Sequence, residues 1–297
     1  MARKIKVYPE IKVPSALGQT WAAYRQDSLA MLGLWGLLFL LATLCFGPMM
    51  VSFDPLKQDP NALLLPPSWT QQGTIEYFFG TDDLGRDLLS RLVHGARLTF
   101  GYALVATLVA LLCGCLLGLI GGMSRGLLAS TLHHVLDPLL SIPSLLLAIV
   151  LVALLGPGLP NVTLAITLAL IPQITRATYN AVRQELGKEY VTAARLDGSP
   201  PYRILRWAVL PNILDTLVAQ TTRALSMAIL DISTVSFLGI GAQAPAPEWG
   251  NMLAGGLELI YVASWNVTLP GLAIMLSVVI TNLVGDGLRN ALQKGMD

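Results

Sequence analysis

Glu189-Tyr190-Val191-Thr192-Ala193-Ala194-Arg195-Leu196-Asp197-Gly198-Ser199-Pro200-Pro201, running on to Leu210-Pro211, is a polar stretch set between two apolar ones. Its residues spell two short helices and a turn. Ala193 and Ala194 favour helix, and Gly198 supplies the left-handed residue that ends one. Ser199 is placed to cap the next helix, with Pro200 at its first position, where a missing N–H costs nothing. The spacing predicts a second helix over Tyr202–Leu210 with Ile204, Leu205 and Ala208 on one face and Arg203 and Arg206 elsewhere. A basic, folded hairpin between membrane helices suits the grip of a soluble partner. The competing reading is an interfacial helix lying on lipid.

The rest of the chain explains why such a hairpin stands out. Of 297 residues, 54% are hydrophobic and only 12% charged, about half the charge of an average soluble domain. This composition specifies an integral membrane protein and excludes an ordinary soluble enzyme. A net charge of +1, with no basic stripe, gives no footprint for nucleic acid. Cys45, Cys113 and Cys115 lie in apolar runs and read as small packing residues. The first apolar run begins near Leu29 and is too long for the core of a cleaved signal, so it reads as a retained anchor.

A membrane span needs about 20 mostly apolar residues. Leu29–Val51, Leu98–Gly122, Pro138–Gly156, Ile213–Ile240 and Val267–Val284 meet that requirement, and a helix from Val162 through Pro172 to Tyr179 makes a sixth. The expectation is an all-α membrane protein of six helices, with an N-terminal segment 1–28 and a membrane domain 29–297. Positive residues set its orientation. Arg3, Lys4, Lys6, Lys12 and Arg25 precede the first span, and Arg125 lies between the second and third. Arg176, Arg183, Lys188, Arg195, Arg203 and Arg206 follow the fourth, and Arg289 and Lys294 end the chain. The segment 241–265 has no Lys or Arg, and 52–96 is rich in Asp. Both termini and the loop 176–211 are therefore expected in the cytoplasm, with loops 52–96 and 241–265 outside. Gly114, Gly118 and Gly122 form a small-residue face for close helix packing. The sequons at Asn161 and Asn266 sit at membrane boundaries and read as chance matches.

Catalytic chemistry is missing from the pattern. There is no phosphate-binding GxxxxGK[ST] loop, no HExxH and no paired CxxC. His133 and His134 are adjacent, point apart on a helix, and do not read as a metal pair. Work against a gradient would need another subunit or coupled ions. Asp231 lies deep in the fifth span, with Arg223 and Asp215 before it, and Asp286 lies near the end of the last. A single acid is no proton relay. Asp231 either borders a substrate path or is satisfied by a neighbouring hydroxyl or backbone group.

Three motifs carry a resemblance. Thr192-Ala193-Ala194-x-x-x-Gly198 with Ala208-x-Leu210-Pro211 resembles the "EAA" loop of ABC-importer permeases, with Thr192 for the leading Glu and Ala208 for the usual Ile. Phe79-Gly80-Thr81-Asp82-Asp83-Leu84-Gly85-Arg86-Asp87, on to Ser90-Arg91, is similar to a signature of the second permease in the dipeptide/oligopeptide branch. Ser236–Gln243 and Pro247-Glu248-Trp249-Gly250-Asn251-Met252-Leu253 resemble the same branch. Further segments, among them Leu65-Pro66-Pro67-Ser68-Trp69 and Thr222–Ile232, resemble the Sap-type permeases, associated with peptide uptake, antimicrobial-peptide resistance and putrescine export.

The resemblance spans nearly the whole chain and implies a type I ABC importer permease in a bacterial inner membrane. The implied partners are a homologous second permease, two ATPase subunits carrying ATP and Mg, a periplasmic binding protein and membrane lipid. This chain itself would hold no cofactor or metal. Thr192, Ala193, Ala194, Gly198, Leu210 and Pro211 would couple to the ATPase. Asp82, Gly85, Arg86 and Asp87 would form an outer gate or binding-protein dock, and Asp231 would border the path. The expected cargo is peptide, cationic antimicrobial peptides included, with putrescine export as the alternative. An ion-coupled secondary transporter is the distant one.

Overall fold

The computed structural model describes residues 16–124 and 127–296, and every regular element among them is helical. Arg3, Lys4, Lys6, Lys12, Arg125 and the side chain of His133 lie outside the described residues. A short helix α1 (Ala16–Gln26) leads to α2 (Ser28–Met50), which Asp27 caps by accepting the N–H groups of Leu29 and Ala30 at 3.0 and 3.2 Å. Its 23 residues span about 35 Å, enough to cross a bilayer.

The second span starts ten residues earlier than expected. Helix α3 (Leu88–Ala96) passes through a π-turn, Arg97–Gly101, into α4 (Tyr102–Met123). Asp87 caps α3 by accepting the Ser90 N–H at 2.8 Å, so the charged run read as loop is a helix start. Helices α5 (Leu127–Ser141) and α6 (Ser144–Leu155) replace the straight third span. They meet at 94°. Pro143 has no N–H to donate and disfavours helical geometry in the residue before it, and the helix ends at Ser141.

Helix α7 (Leu159–Leu186) runs through Pro172 as expected. After two short helices, α8 (Glu189–Leu196) and α9 (Pro201–Ile204), α10 (Leu214–Phe237) returns across the bundle. Helix α11 (Trp249–Gly256) precedes the long α12 (Trp265–Met296). Among the described residues, three helices are apolar and long enough to span alone, α2, α3–α4 and α12, and the bent pair α5–α6 adds a fourth. Helices α7 and α10 have the length but carry more polar residues, several of them buried, such as Thr167, Thr175, Thr178, Ser226 and Ser233. The threonine hydroxyls at 167 and 175 donate to carbonyls one turn back, which satisfies them without a partner helix.

The glycine face organises the centre. A Cβ at Gly114, Gly118 or Gly122 would lie 2.8, 2.5 or 2.7 Å from Cβ of Ile174, Thr178 or Val182, which recur at the same spacing on α7. Helices α4 and α7 thus meet backbone to side-chain root, with no room for a larger residue. The largest buried cluster joins this pair to α10 through Ile166, Leu170, Ile229 and Ile232. Asn161 and Asn266 are used internally. Asn161 Nδ2 donates to the Leu155 and Gly156 carbonyls, and Asn266 is 4% exposed.

Candidate functional site

The hairpin between α7 and α10 forms one end of the bundle. Gly198 has φ +81° and follows α8, with the Gly198 and Ser199 N–H groups bonded to the Arg195 and Ala194 carbonyls at 3.0 Å. This is the expected left-handed stop. The second helix differs from expectation. Pro200 holds the cap position and Pro201 the first turn, and Ser199 makes no cap. A single α-turn, Pro201–Ile204, gives way to a π-turn, Leu205–Val209, and a 3₁₀ turn, Pro211–Ile213. The wider π-turn brings Val209 inward beside Ile204, where an ordinary helix would have pointed Ala208.

Val191, Ile204, Val209 and Ile213 bury against Ala181, Val182 and Leu186 of α7. A polar clasp reinforces this packing. Tyr190 bonds to the buried Glu185 carboxylate, and its oxygen accepts from Asn212 Nδ2 at 3.0 Å. Lys188 Nζ closes on Glu185 at 2.8 Å, and Asn212 also reaches the Ala208 carbonyl at 2.7 Å. Desolvation and the neighbouring carboxylate push the Tyr190 phenol up to about 12, so it remains a neutral donor. The opposite face is open. Thr192, Ala193, Arg195, Leu196, Tyr202, Arg203, Arg206 and Trp207 are exposed, Leu196 at 85% and Trp207 at 72%. Of the other expected hairpin residues, Ala194 and Leu210 are half-buried and Pro211 is exposed.

The four acidic-loop residues come together at the other end, and their chemistry is largely spent on one another. Asp82 accepts the Leu84 and Arg86 N–H groups and pairs with Arg86 Nε at 2.7 Å and Arg91 Nε at 3.5 Å. Arg91, 4% exposed, also donates to the Pro55 carbonyl at 3.2 Å. Gly85 has φ +71°, and a Cβ there would strike the Asp59 carbonyl at 2.0 Å. Trp265 and Asn266 reach the Thr81 carbonyl, tying the loop to α12. A cavity of about 130 Å³ lies between this loop and α11, lined by Asp82, Arg86, Arg91, Asn251, Met252 and Asn266.

Asp231 lies between the two ends, 8% exposed, with Ser144 donating to it at 3.4 Å. It therefore meets α6 where the third span breaks. Arg223 and Asp286 are exposed, and Asp215 accepts from Gln293 Nε2 at 3.2 Å. Among the described residues, no group of three His, Cys, Asp or Glu side chains is placed to hold a metal. Besides Glu185, a second buried carboxylate was missed as a site, Glu248, with 0% exposure. Its only signal in the sequence is its place within Pro247-Glu248-Trp249-Gly250.

The bundle, with its broken third span and a helical hairpin between α7 and α10, has the type I ABC importer permease fold. The inward-facing MetNI methionine ABC transporter matches with a TM-score of 0.57 at 21% identity, over 68% of this chain and 95% of that one. The chain belongs to the family described as binding-protein-dependent transport system inner membrane component, which matches residues 114–297. Residues 15–67 match the N-terminal membrane domain of oligopeptide transport permease C. The peptide transport system permease protein SapC of Salmonella typhimurium is 51% identical over 98% of each chain. The dipeptide transport system permease protein DppC of Escherichia coli is 42% identical over 93% of this chain and 92% of its own. The protein is thus a non-catalytic, multi-pass membrane component of a peptide-type ABC transporter.

Proposed function

We propose that this chain is one of two homologous permeases through which a bacterial inner-membrane transporter moves peptides, cationic antimicrobial peptides included. Two ATPase subunits carrying ATP and Mg would sit beneath it, a periplasmic binding protein above, and lipid around it. The observation that carries the reading is the hairpin at 189–213, braced on α7 by Glu185, Tyr190 and Asn212 yet presenting Leu196, Tyr202, Trp207 and three arginines outward. Such a face suits a groove on a soluble subunit, and its rigid bracing passes a push on to α7 and α10. The basic hairpin and both termini would face the cytoplasm. Asp82, Gly85, Arg86 and Asp87 would then shape the outer entrance, and Asp231 would border the path beside the break in the third span.

The mechanism is mechanical. ATP closes the ATPase pair, the hairpins approach, and the spans rock between inward- and outward-open arrangements. The energy enters as the ATPase pair's different affinity for the two arrangements, so no reacting group is needed in this chain. The test is transport by the complete purified complex in vesicles, with a lysine-rich peptide, a neutral peptide and putrescine offered side by side. Vanadate-sensitive peptide uptake that requires the ATPase subunits supports the proposal. Putrescine movement alone reassigns the cargo, and ATP-independent uptake driven by an ion gradient points to a secondary transporter.

A further inference from the structure

Among the described residues, Glu248 is a carboxylate with no exposed surface and no cation paired with it, held by neutral donors from the π-turn and from α11. Thr99, in the π-turn between α3 and α4, donates its hydroxyl to Oε1 at 2.6 Å and accepts the Trp249 N–H at 3.1 Å. The Asn251 N–H reaches Oε2 at 2.9 Å, and the Gly250 N–H and the Ser236 hydroxyl of α10 face the carboxylate, the Ser236 oxygen accepting the Ala242 N–H at 3.1 Å. The backbone around it fits as a wedge. A Cβ at Gly95 would lie 2.5 Å from the Pro247 carbonyl, and one at Gly250 would lie 2.0 Å from the Ser233 carbonyl of α10. Trp249 Nε1 completes the seat by donating to the Leu92 carbonyl of α3 at 2.9 Å.

Burying an unpaired carboxylate is expensive, so an apolar residue would serve better if filling space were the only task. The π-turn also places the Thr99 hydroxyl where it can serve Glu248 and Trp249 at once, and such turns recur at functional places in helices. The wedge joins α3–α4 to the end of α10, whose other end leads directly from the hairpin, 24 residues away, or about 36 Å along the axis.

We infer that Glu248 is a positioning residue: through Thr99, and beside the close seat of Gly250 on Ser233, it locks α11 onto α3–α4 and α10, so that the entrance segment moves as one body with the helices that the hairpin drives. Its part in transport rests on the proposed function, whereas the locking itself is measurable without any cargo. When α10 shifts at the hairpin end, the wedge carries α11 and the adjoining cavity with it. Without the lock, α11 lifts away independently and the entrance no longer follows the ATPase.

The experiment uses vesicles carrying the whole transporter, with Cys45, Cys113 and Cys115 replaced by alanine and Met252, 6% exposed, replaced by cysteine. Labelling by an impermeant maleimide reports α11 lifting, normalised to the rate at a Tyr261→Cys site, which is 98% exposed. Losing a hydrogen bond to a carboxylate should favour the opened state by about tenfold or more. Glu248→Ala and Thr99→Val should each raise labelling by at least about tenfold. Glu248→Gln, which can still accept from the backbone and donate to Thr99, should stay within about threefold of the parent. Thr99→Val preserves shape, so it decides the matter if Glu248→Ala does not accumulate. A parental labelling rate in Thr99→Val overturns the inference. Failure of peptide transport in every variant, parent included, would instead count against the cargo and leave this readout intact.

Discussion

At Gly198 an added Cβ would meet nothing within 4 Å, yet φ is +81°. The demand there is on the backbone alone, and a β-branched residue resists that conformation by about 1–2 kcal/mol. Gly198→Val should leave the protein inserted and the bundle intact while tilting α9 against α8. The expected result is a complex whose ATP hydrolysis no longer rises with substrate-loaded binding protein; a normal rise would remove the hairpin from the coupling route. Gly118 is constrained in the opposite way, by space, since its Cβ would lie 2.5 Å from Thr178 Cβ. Gly118→Leu should part α4 from α7, cost about 3 kcal/mol, and deplete the protein from the membrane, as an immunoblot would show. Both glycines were legible in the sequence, one from its place after a helix and the other from its four-residue repeat. The cap after Gly198 was read one residue early because Pro200 and Pro201 can each occupy a first helical turn, and only packing chooses between them.

Among the elements, those legible in the sequence were fixed by local composition, and those that escaped it depend on contacts far away in the chain. The long apolar α2 and α12 needed only length and hydropathy. Helix α3 was hidden because Asp82, Asp83, Arg86, Asp87 and Arg91 look like a solvated loop, whereas Asp87 caps the helix and Arg91 is buried against Asp82 and the Pro55 carbonyl. That geometry sharpens the expectation for this loop. Arg86→Ala leaves Asp82 buried with Arg91 as its remaining cation partner, so it should loosen the loop by about 1–3 kcal/mol and lower peptide flux while insertion stays normal. Unchanged flux would confine the ion pair to a local role. Glu248 escaped notice because its side-chain partner, Thr99, is distant in sequence. Burial outweighs its neutral hydrogen-bond donors, Thr99, Asn251, Gly250 and Ser236, and raises its pKa above the ordinary glutamate value. Its contribution to α11 packing is therefore fully present below that ordinary value and is lost as pH rises through the raised one. Normalised labelling at Met252→Cys should climb over that interval in the parent and stay flat in Glu248→Gln. A pH-independent parent would show that the carboxylate does not titrate there.

Across the whole molecule, α10 is the element that joins the hairpin, the broken third span and the wedge. It leaves the hairpin at Leu214, touches the broken third span through Asp231 and Ser144, and ends in the wedge at Ser233 and Ser236. The spans on either side could be read from hydropathy, but the break at Ile142-Pro143 and its contact with Asp231 could not, because a proline alone does not say whether a helix bends or ends. That contact gives the charge proposal for Asp231 a control that the sequence lacked. If its carboxylate borders the path, Asp231→Asn keeps the size and the bond to Ser144 but removes the attraction for a cationic cargo. A water-facing charge pair is worth about 1 kcal/mol, or roughly a fivefold preference. Initial uptake of a lysine-rich peptide should then fall about fivefold relative to a neutral peptide of equal length, with the protein accumulating normally. Ser144→Ala removes the bond and keeps the charge, so it should leave the ratio of the two rates unchanged. An equal loss of both peptides in Asp231→Asn, repeated in Ser144→Ala, would instead assign this carboxylate to holding the break of the third span against α10.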